Sequence, residues 1–163
     1  MEIRTALIDD IKDIQMVGRL SWNDTYGVFR SDEYVAYGLE QWWSSQYLEN
    51  SIQSENHVLL VAEAAPEIIG VAESQYLNET SAILWKLYVL KAHRGKGIGT
   101  ALIEESIRRL SSTVESYYTE YDSQNERAAA FYKSRGFEFD RIEESQFHDE
   151  VITSVYIKRD LRG

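Results

Sequence analysis

Hydrophobic and polar residues follow two different periods along this chain, and each stretch of constant period predicts one element. Apolar runs and period-two alternation predict seven strands. They cover residues 3–6, 57–64, 68–77, 82–90, 116–122, 137–147 and 151–161. Two of the intervals between these strands carry apolar residues at helical spacing and predict helices over about 98–110 and after Asn125.

The first interval, between residues 6 and 57, predicts two helical regions. One begins at Asp9 or Asp10 and turns four apolar residues inward, namely Ile11, Ile14, Val17 and Leu20. The stretch 22–47 holds eight aromatic residues and predicts one or two helices with a break near 27–31. The resulting order, β-α-α-β-β-β-α-β-α-β-β, is a mixed α/β (α+β) arrangement.

Length and composition fit one domain over residues 1–163 that holds a sizeable apolar core. The chain has no cysteine, which excludes disulfides, a cysteine nucleophile and thiolate metal sites. No apolar run is long enough to span a membrane, and the N-terminus lacks the pattern of a signal peptide. We therefore expect a cytoplasmic protein with no metal.

The formal net charge is −10, which argues against a nucleic-acid partner. The same charge suits a cationic substrate, although plain solubility explains it as well. Against this acidic background, four basic residues cluster within six positions: Lys91, His93, Arg94 and Lys96.

These residues belong to the stretch 87–100, in which a strand leads through a glycine turn into a helix. Glycines let backbone N–H groups approach a ligand closely, and the helix start adds partial positive charge. Arg94 can add a forked contact to a phosphate, and Lys96 can add a point charge. The stretch therefore predicts an anion site.

Two common phosphate motifs do not fit this turn. The Walker loop requires Gly-Lys followed by Ser or Thr, and the dinucleotide motif requires G-x-G-x-x-G. Here Gly95, Gly97 and Gly99 are spaced G-x-G-x-G, and with Arg94 they give R-x-x-G-x-G. This pattern, after a strand ending in Leu-Tyr-Val, resembles the acyl-CoA pyrophosphate loop of the GNAT superfamily of N-acetyltransferases.

The stretch 125–137 resembles the second signature of the same family, N-x-x-A-x-x-F-Y-x-x-x-G-F. It predicts a short helix, because Asn125 is a good N-cap and Gly136 is a good residue to follow a helix. The two signatures stand in the family's order and about 30 residues apart, and the predicted element order is also that of the family.

The resemblance implies a mixed, mostly antiparallel sheet of about seven strands, which splays between 82–89 and 116–122 to admit the pantetheine of acetyl-CoA. No metal takes part. The backbone of Leu87, Tyr88 and Val89 would bond the pantetheine and the thioester oxygen. The pyrophosphate would lie against Arg94, Gly95, Lys96, Gly97, Ile98, Gly99 and Thr100. Asn125, Tyr132 and Lys133 would also contact the co-substrate, with Tyr132 as general acid toward the leaving thiolate.

The sequence is less specific about the residues that bind the acceptor amine and remove its proton. Trp22 and Tyr26 either line an aromatic slot for an amine or pack helices onto the sheet. Glu73 is a candidate general base or amine anchor, or it faces water. Many relatives carry a glutamate where this chain has Trp85, so Glu120 or a water relay are the other candidates for the base.

The general pattern and the aromatic N-terminal half resemble the branch that acetylates polyamines and other small amines. We therefore expect direct transfer from acetyl-CoA to a primary amine of a small cationic molecule in a ternary complex, with no nucleic-acid or membrane partner. Two alternatives stay open: a protein N-terminal or lysine acetyltransferase, and an acyl-CoA-binding regulatory module. Because many relatives are dimers, a homodimer is also possible.

Overall fold

A computed structural model describes residues 1–162. The strands are β1 Glu2–Thr5, β2 His57–Ala64, β3 Glu67–Tyr76, β4 Ser81–Val89, β5 Ser116–Asp122, β6 Glu138–Phe147 and β7 Glu150–Asp160. The helices are α1 Ile11–Thr25, α2 Asp32–Trp42, α3 Ser45–Gln53, α4 Ile98–Arg109 and α5 Glu126–Ser134. The predicted class, a mixed α/β fold with seven strands in one sheet, is confirmed.

The region between β1 and β2 contains three α-helices. The predicted break near 27–31 lies between α1 and α2, whereas a second break at 43–44, between α2 and α3, was not predicted. Ser31 and Ser44 explain the division. The Ser31 hydroxyl accepts a hydrogen bond from the Tyr34 N–H at the start of α2, and the Ser44 hydroxyl accepts one from the Tyr47 N–H at the start of α3, both at 3.1 Å. Two serine caps therefore divide one aromatic-rich segment into two helices.

Leu20 also differs from the prediction, since 43% of its surface is exposed. The buried face of α1 continues through Gly18, Ser21 and Trp22. At 100° per residue, Leu20 falls on the opposite side of the helix from this face.

The chain forms two compact units, and β4 contributes residues to both. The first unit comprises residues 1–75 and 86–110. In it, β2 pairs antiparallel with β1 and with β3. Helices α1 to α3 and strands β2 and β3 share one apolar core, whose buried members include Ile14, Val17, Leu48, Val61 and Val71. Helix α4 packs against β1 and β2.

Helices α1 and α2 are fitted together by two tryptophan–glycine contacts. A Cβ on Gly18 of α1 would lie 2.3 Å from the ring of Trp43, which directly follows α2. A Cβ on Gly38 of α2 would lie 2.1 Å from the ring of Trp22 on α1. Each helix thus presents a glycine to a tryptophan associated with the other, and both rings lie in the core.

The second unit comprises residues 76–85 and 111–162. The first four residues of β4 pair in parallel with the first four of β5, from Ser81/Ser116 to Leu84/Thr119. Strand β7 pairs antiparallel with both β5 and β6. Strand β6 lies at the edge of the sheet, where most of its side chains are exposed and a bulge interrupts the register next to Phe139. Within the part of the chain described, no helix is both long and apolar enough to cross a membrane.

Candidate active site

The glycine turn lies between β4 and α4, within the first unit. After β4, a 3-10 turn over Lys91–His93 leads to Gly95 and Gly97, whose φ angles are +77° and +82°. A Cβ at either glycine would meet nothing within 4 Å, so the turn is open on that side. Left-handed backbone of this kind favours glycine and directs successive N–H groups toward a common point.

Helix α4 begins at Ile98, directly after Gly97. Among the described residues, no side chain caps this helix start. The N–H groups of a first helical turn have no partner within the helix, and the helix dipole adds partial positive charge there. Together with the side chains of Arg94 and Lys96, this arrangement fits a pyrophosphate.

Arg94 connects the turn to the end of the strand. Its Nε donates a hydrogen bond to the carbonyl oxygen of Val89 at 3.0 Å, and Leu90 N–H donates to Ile69 O at 2.9 Å. A guanidinium carries five N–H donors, so the bond to Val89 commits one of them. Arg94 therefore helps to set the shape of the turn in addition to carrying charge.

The last residues of β4, Leu87, Tyr88 and Val89, are half-buried. The ring of Tyr88 packs against Trp43 with 5.4 Å between the centroids. On the neighbouring strand, a Cβ at Gly70 would lie 3.1 Å from Leu102 Cδ1 and 3.3 Å from the carbonyl oxygen of Tyr88. Gly70 thus allows both α4 and the backbone of β4 to approach β3 closely.

Glu73 does not face water, because it is fully buried on β3. Its Oε1 accepts hydrogen bonds from Lys86 Nζ at 2.7 Å and from the Tyr47 hydroxyl at 2.9 Å. Its Oε2 accepts one from the Ser51 hydroxyl at 2.6 Å. The carboxylate of Glu73 is thus engaged by three side chains of the same unit.

The environment shifts the pKa of two of these partners. Burial lowers the pKa of the Lys86 ammonium, and the charge of Glu73 opposes that shift. Burial and then the Glu73 charge raise the pKa of the Tyr47 hydroxyl above its usual value. Sequence reasoning missed the roles of Lys86, Tyr47 and Ser51, although one signal was present: a single lysine within the otherwise apolar strand β4.

Three aromatic rings of the first unit, those of Tyr26, Tyr34 and Trp42, lie close to the ring of Trp22. The Trp22 ring lies 4.3 Å from that of Tyr26 and 5.8 Å from that of Trp42, measured between centroids. Trp22 is buried in the core, whereas Tyr26 is half-buried and packs against it. Of the two aromatic candidates for the acceptor side, Tyr26 is therefore the more accessible.

In the second unit, helix α5 carries the second signature. The Asn125 side chain accepts a hydrogen bond from the Ala128 N–H at 3.1 Å, which confirms Asn125 as the N-cap. Gly136, with φ +90°, follows the helix end as predicted. Tyr132 is buried between the rings of Phe131 and Phe137, each 5.4 Å away, whereas Lys133 is exposed.

Glu120 also belongs to the second unit. The Thr119 hydroxyl donates to Leu84 O at 2.8 Å, at the last of the parallel β4–β5 pairs, and Glu120 is the next residue. Burial raises the pKa of Glu120, and a hydrogen bond with Tyr156 opposes that shift. The Tyr156 ring is covered on one face by the guanidinium of Arg141 at 4.0 Å. Trp85 on β4 is partly exposed.

Comparison with known proteins identifies the class. The sequence profile of the acetyltransferase (GNAT) domain matches residues 55–139. The chain belongs to the GNAT acetyltransferases, and it is an acyl-CoA-dependent N-acetyltransferase that uses acetyl-CoA.

Two similar proteins have names more specific than that of the family. The chain is 30% identical over 162 residues to a spermidine N(1)-acetyltransferase of Thermoplasma acidophilum, covering 96% of this chain and 98% of the relative. It is 26% identical to the PaiA N-acetyltransferase of Thermoplasma acidophilum, whose crystal structure contains coenzyme A, with a TM-score of 0.83 and 98% of each chain covered.

A third likeness shows the fold alone. It is to a ribosomal-protein-alanine N-acetyltransferase of Brucella melitensis, at 22% identity and a TM-score of 0.71, covering 99% of this chain and 100% of the other.

Proposed function

We propose that this enzyme transfers the acetyl group of acetyl-CoA directly to a primary amine of a small, polyamine-like cation. The observation that carries this proposal is the similarity, over nearly the full length of both chains, to a spermidine acetyltransferase. The net charge of −10 supports it, because an acidic surface attracts a polycation. The aromatic cluster around Trp22 and Tyr26 also supports it, since aromatic faces attract ammonium groups and the methylene chains between them.

In this proposal the glycine turn and the end of β4 hold the nucleotide and its arm. The pyrophosphate binds the N–H groups of the turn from Gly95 to Thr100, with Arg94 and Lys96 balancing its charge. The backbone of Leu87, Tyr88 and Val89 bonds the pantetheine arm as an added strand would. A backbone N–H of this segment also stabilises negative charge on the thioester oxygen as the amine attacks.

Tyr132 supplies a proton in the proposed reaction. Acetyl-CoA provides the activated acetyl group as a thioester. The amine nitrogen forms a bond to the carbonyl carbon, the carbon–sulfur bond breaks, and the thiolate takes the proton of the Tyr132 hydroxyl. The ordinary pKa of a tyrosine, near 10, keeps this donor protonated at neutral pH. Asn125 fixes the start of the helix that carries Tyr132, and Lys133 adds charge for a phosphate of CoA.

Of the two carboxylates considered for the base, we assign the role to Glu120. Glu73 is fully buried, and its two oxygens already accept hydrogen bonds from Lys86, Tyr47 and Ser51. Glu120 lies at the point where parallel pairing with β4 ends, and burial raises its pKa. A carboxylate with a raised pKa accepts a proton more readily, so Glu120 is the better acceptor for the amine proton, directly or through a water.

The test is acetyl-CoA-dependent release of free thiol with a panel of acceptors: spermidine, spermine, simple diamines, amino acids, aminoglycosides and short peptides. We expect release with the polyamines and little with the rest. Release with peptides alone would overturn the proposal in favour of protein acetylation. Tight acetyl-CoA binding with no release from any acceptor would favour a regulatory acyl-CoA-binding module.

A further inference from the structure

The first unit contains a buried ion pair that the proposed chemistry does not use. Glu73 on β3 is fully buried and Lys86 on β4 is 4% exposed, and their charged atoms lie 2.7 Å apart. The Tyr47 and Ser51 hydroxyls of α3 donate to the same carboxylate. One carboxylate therefore joins two strands and a helix.

Aromatic rings cover the other sides of the ammonium. Lys86 Nζ lies 4.1 Å from the centroid of the Tyr47 ring and 5.1 Å from that of Trp43. Each ring attracts the ammonium through its negative face. The charged and titratable groups that enclose Lys86 Nζ in these contacts are Glu73 and Tyr47.

Such a pair is a costly way to stabilise a core. Both charges lose their hydration on burial, and well-packed apolar residues at such positions often give equal or greater stability. A buried pair with good geometry instead enforces one arrangement of the elements that carry it, because any other leaves a charge unpaired. Here the elements so fixed are β3, β4 and α3.

Strand β4 leads from this pair directly to the proposed acetyl-CoA segment. Lys86 and Tyr88 are two residues apart, which places both side chains on one face of the strand. Trp43 packs against both of them, at 5.1 Å from Lys86 Nζ and 5.4 Å from the Tyr88 ring. A shift at Lys86 would therefore reach Tyr88 through the backbone and through Trp43.

We propose that Glu73 and Lys86 are positioning residues, which hold the backbone of Leu87 to Val89 in place to bond the pantetheine arm of acetyl-CoA. This role rests on the proposed binding of that arm by β4. Neither side chain contacts the co-substrate. They act through Tyr88, Trp43 and the strand itself.

The test compares two ligands in the double variant Glu73→Gln/Lys86→Met. The glutamine carbonyl oxygen keeps an acceptor for one of the two hydroxyls, Tyr47 or Ser51, and its NH2 can donate to the other. The methionine fills most of the space of the lysine side chain without its charge. We expect the Kd of acetyl-CoA to rise about tenfold, whereas the Kd of 3′-phospho-ADP, the nucleotide part of CoA without its arm, stays within about twofold. Calorimetry well below the melting temperature of the variant measures both constants.

Two outcomes would overturn the proposal: an unchanged acetyl-CoA Kd in the folded double variant, or equal weakening of both ligands, as a merely structural role predicts. If the double variant does not fold, Glu73→Gln alone is measured in the same way. The matched control is Arg4→Met/Asp10→Asn, which removes the ion pairs that Arg4 of β1 makes with Asp10 and Glu63, at the other edge of this unit's strands. Both readouts are binding constants, so they are independent of the acceptor panel that tests the proposed function.

Discussion

At the scale of single residues, Gly18 and Gly38 are the described glycines where an added methyl group would clash most closely with its neighbours. Alanine at either position would place its Cβ within 2.3 Å of Trp43 or 2.1 Å of Trp22. These distances are far below van der Waals contact, so the rings or the helices must move. Both rings belong to the core, where there is little space for such movement.

We expect Gly18→Ala and Gly38→Ala each to lower the free energy of unfolding by about 2 kcal/mol, because overpacking costs more than the roughly 1 kcal/mol that alanine gains in helix propensity. Gly27→Ala is the matched control, since a Cβ there meets nothing within 4 Å. Urea denaturation measures all three variants. A Gly38→Ala protein as stable as Gly27→Ala would show that the Trp22 ring is free to adjust.

Tyr132 carries the main catalytic prediction. In Tyr132→Phe the ring stays between Phe131 and Phe137, so the fold of the second unit is preserved while the proton donor is lost. We expect kcat to fall about a hundredfold, with the acetyl-CoA Kd nearly unchanged. Steady-state kinetics and calorimetry give the two values. Wild-type turnover in this variant would remove Tyr132 from proton transfer.

The role proposed for Tyr132 could be predicted from the sequence, whereas the hydrogen-bond partners of Glu73 could not. The motif around Tyr132 is local, so it can be recognised in one stretch of chain. The partners of Glu73 lie 26, 22 and 13 residues away along the chain, on two other elements. Their meeting is a result of tertiary packing, which no local pattern encodes.

At the scale of elements, we propose that the glycine turn and the helix after it form one site for the pyrophosphate. Arg94 contributes its charge and its bond to Val89. We expect Arg94→Ala to raise the acetyl-CoA Kd about tenfold without unfolding the protein. Arg108→Ala is the matched control, because Arg108 is an exposed arginine in the last turn of the same helix. An unchanged Kd in a folded Arg94→Ala protein would exclude Arg94 from the site.

Strand β1 is joined to the start of α1 by Asp10. Its carboxylate accepts hydrogen bonds from Arg4 Nη1 at 2.8 Å and Nη2 at 3.0 Å, and from the Leu7 N–H at 2.7 Å. Chiefly because of the hydrogen bonds from Arg4, the pKa of Asp10 lies below its usual value.

This shift gives the pH dependence a definite sign. A lowered pKa means that the folded state binds fewer protons, so Asp10 stabilises the protein above its unfolded pKa of about 3.9 and loses that effect as pH falls through the folded value. We expect Asp10→Asn to cost on the order of 1 kcal/mol at pH 7, and its deficit to shrink below about pH 4. Urea unfolding at a series of pH values measures this. A deficit that is independent of pH would assign the effect to the Leu7 bond or to packing.

The bounds of the elements show how far local pattern reaches. Strands β2 and β5 have the predicted ends, since β2 is a clear apolar run and β5 is a short stretch rich in tyrosine. Helix α3 was not predicted as a separate element, because the aromatic-rich stretch 22–47 continues across its start and the cap, Ser44, is followed by a second serine. In the structure, the break between α2 and α3 is marked by the hydrogen bond that the Ser44 hydroxyl accepts from the Tyr47 N–H.

At the scale of the whole molecule, the net charge of −10 bears on the proposal of a cationic acceptor, which such a charge would attract. We expect the KM for spermidine to rise as salt increases, because the Debye length falls from about 10 Å at 0.1 M to about 3 Å at 1 M. Kinetics at several salt concentrations, with acetyl-CoA saturating, measure this. A neutral primary amine serves as the control acceptor. If the KM for spermidine did not vary with salt, the surface charge would have no role in binding the acceptor and would serve solubility alone.

The groups around Lys86 form an ammonium-binding site that a side chain of the same protein already occupies. A carboxylate and two aromatic faces are what a protein would offer to bind a free ammonium ion. The ammonium of Lys86 is attached covalently to β4, so its effective concentration at this site far exceeds that of any amine in solution. This ammonium site is therefore filled by the chain itself, and a substrate amine has to bind elsewhere.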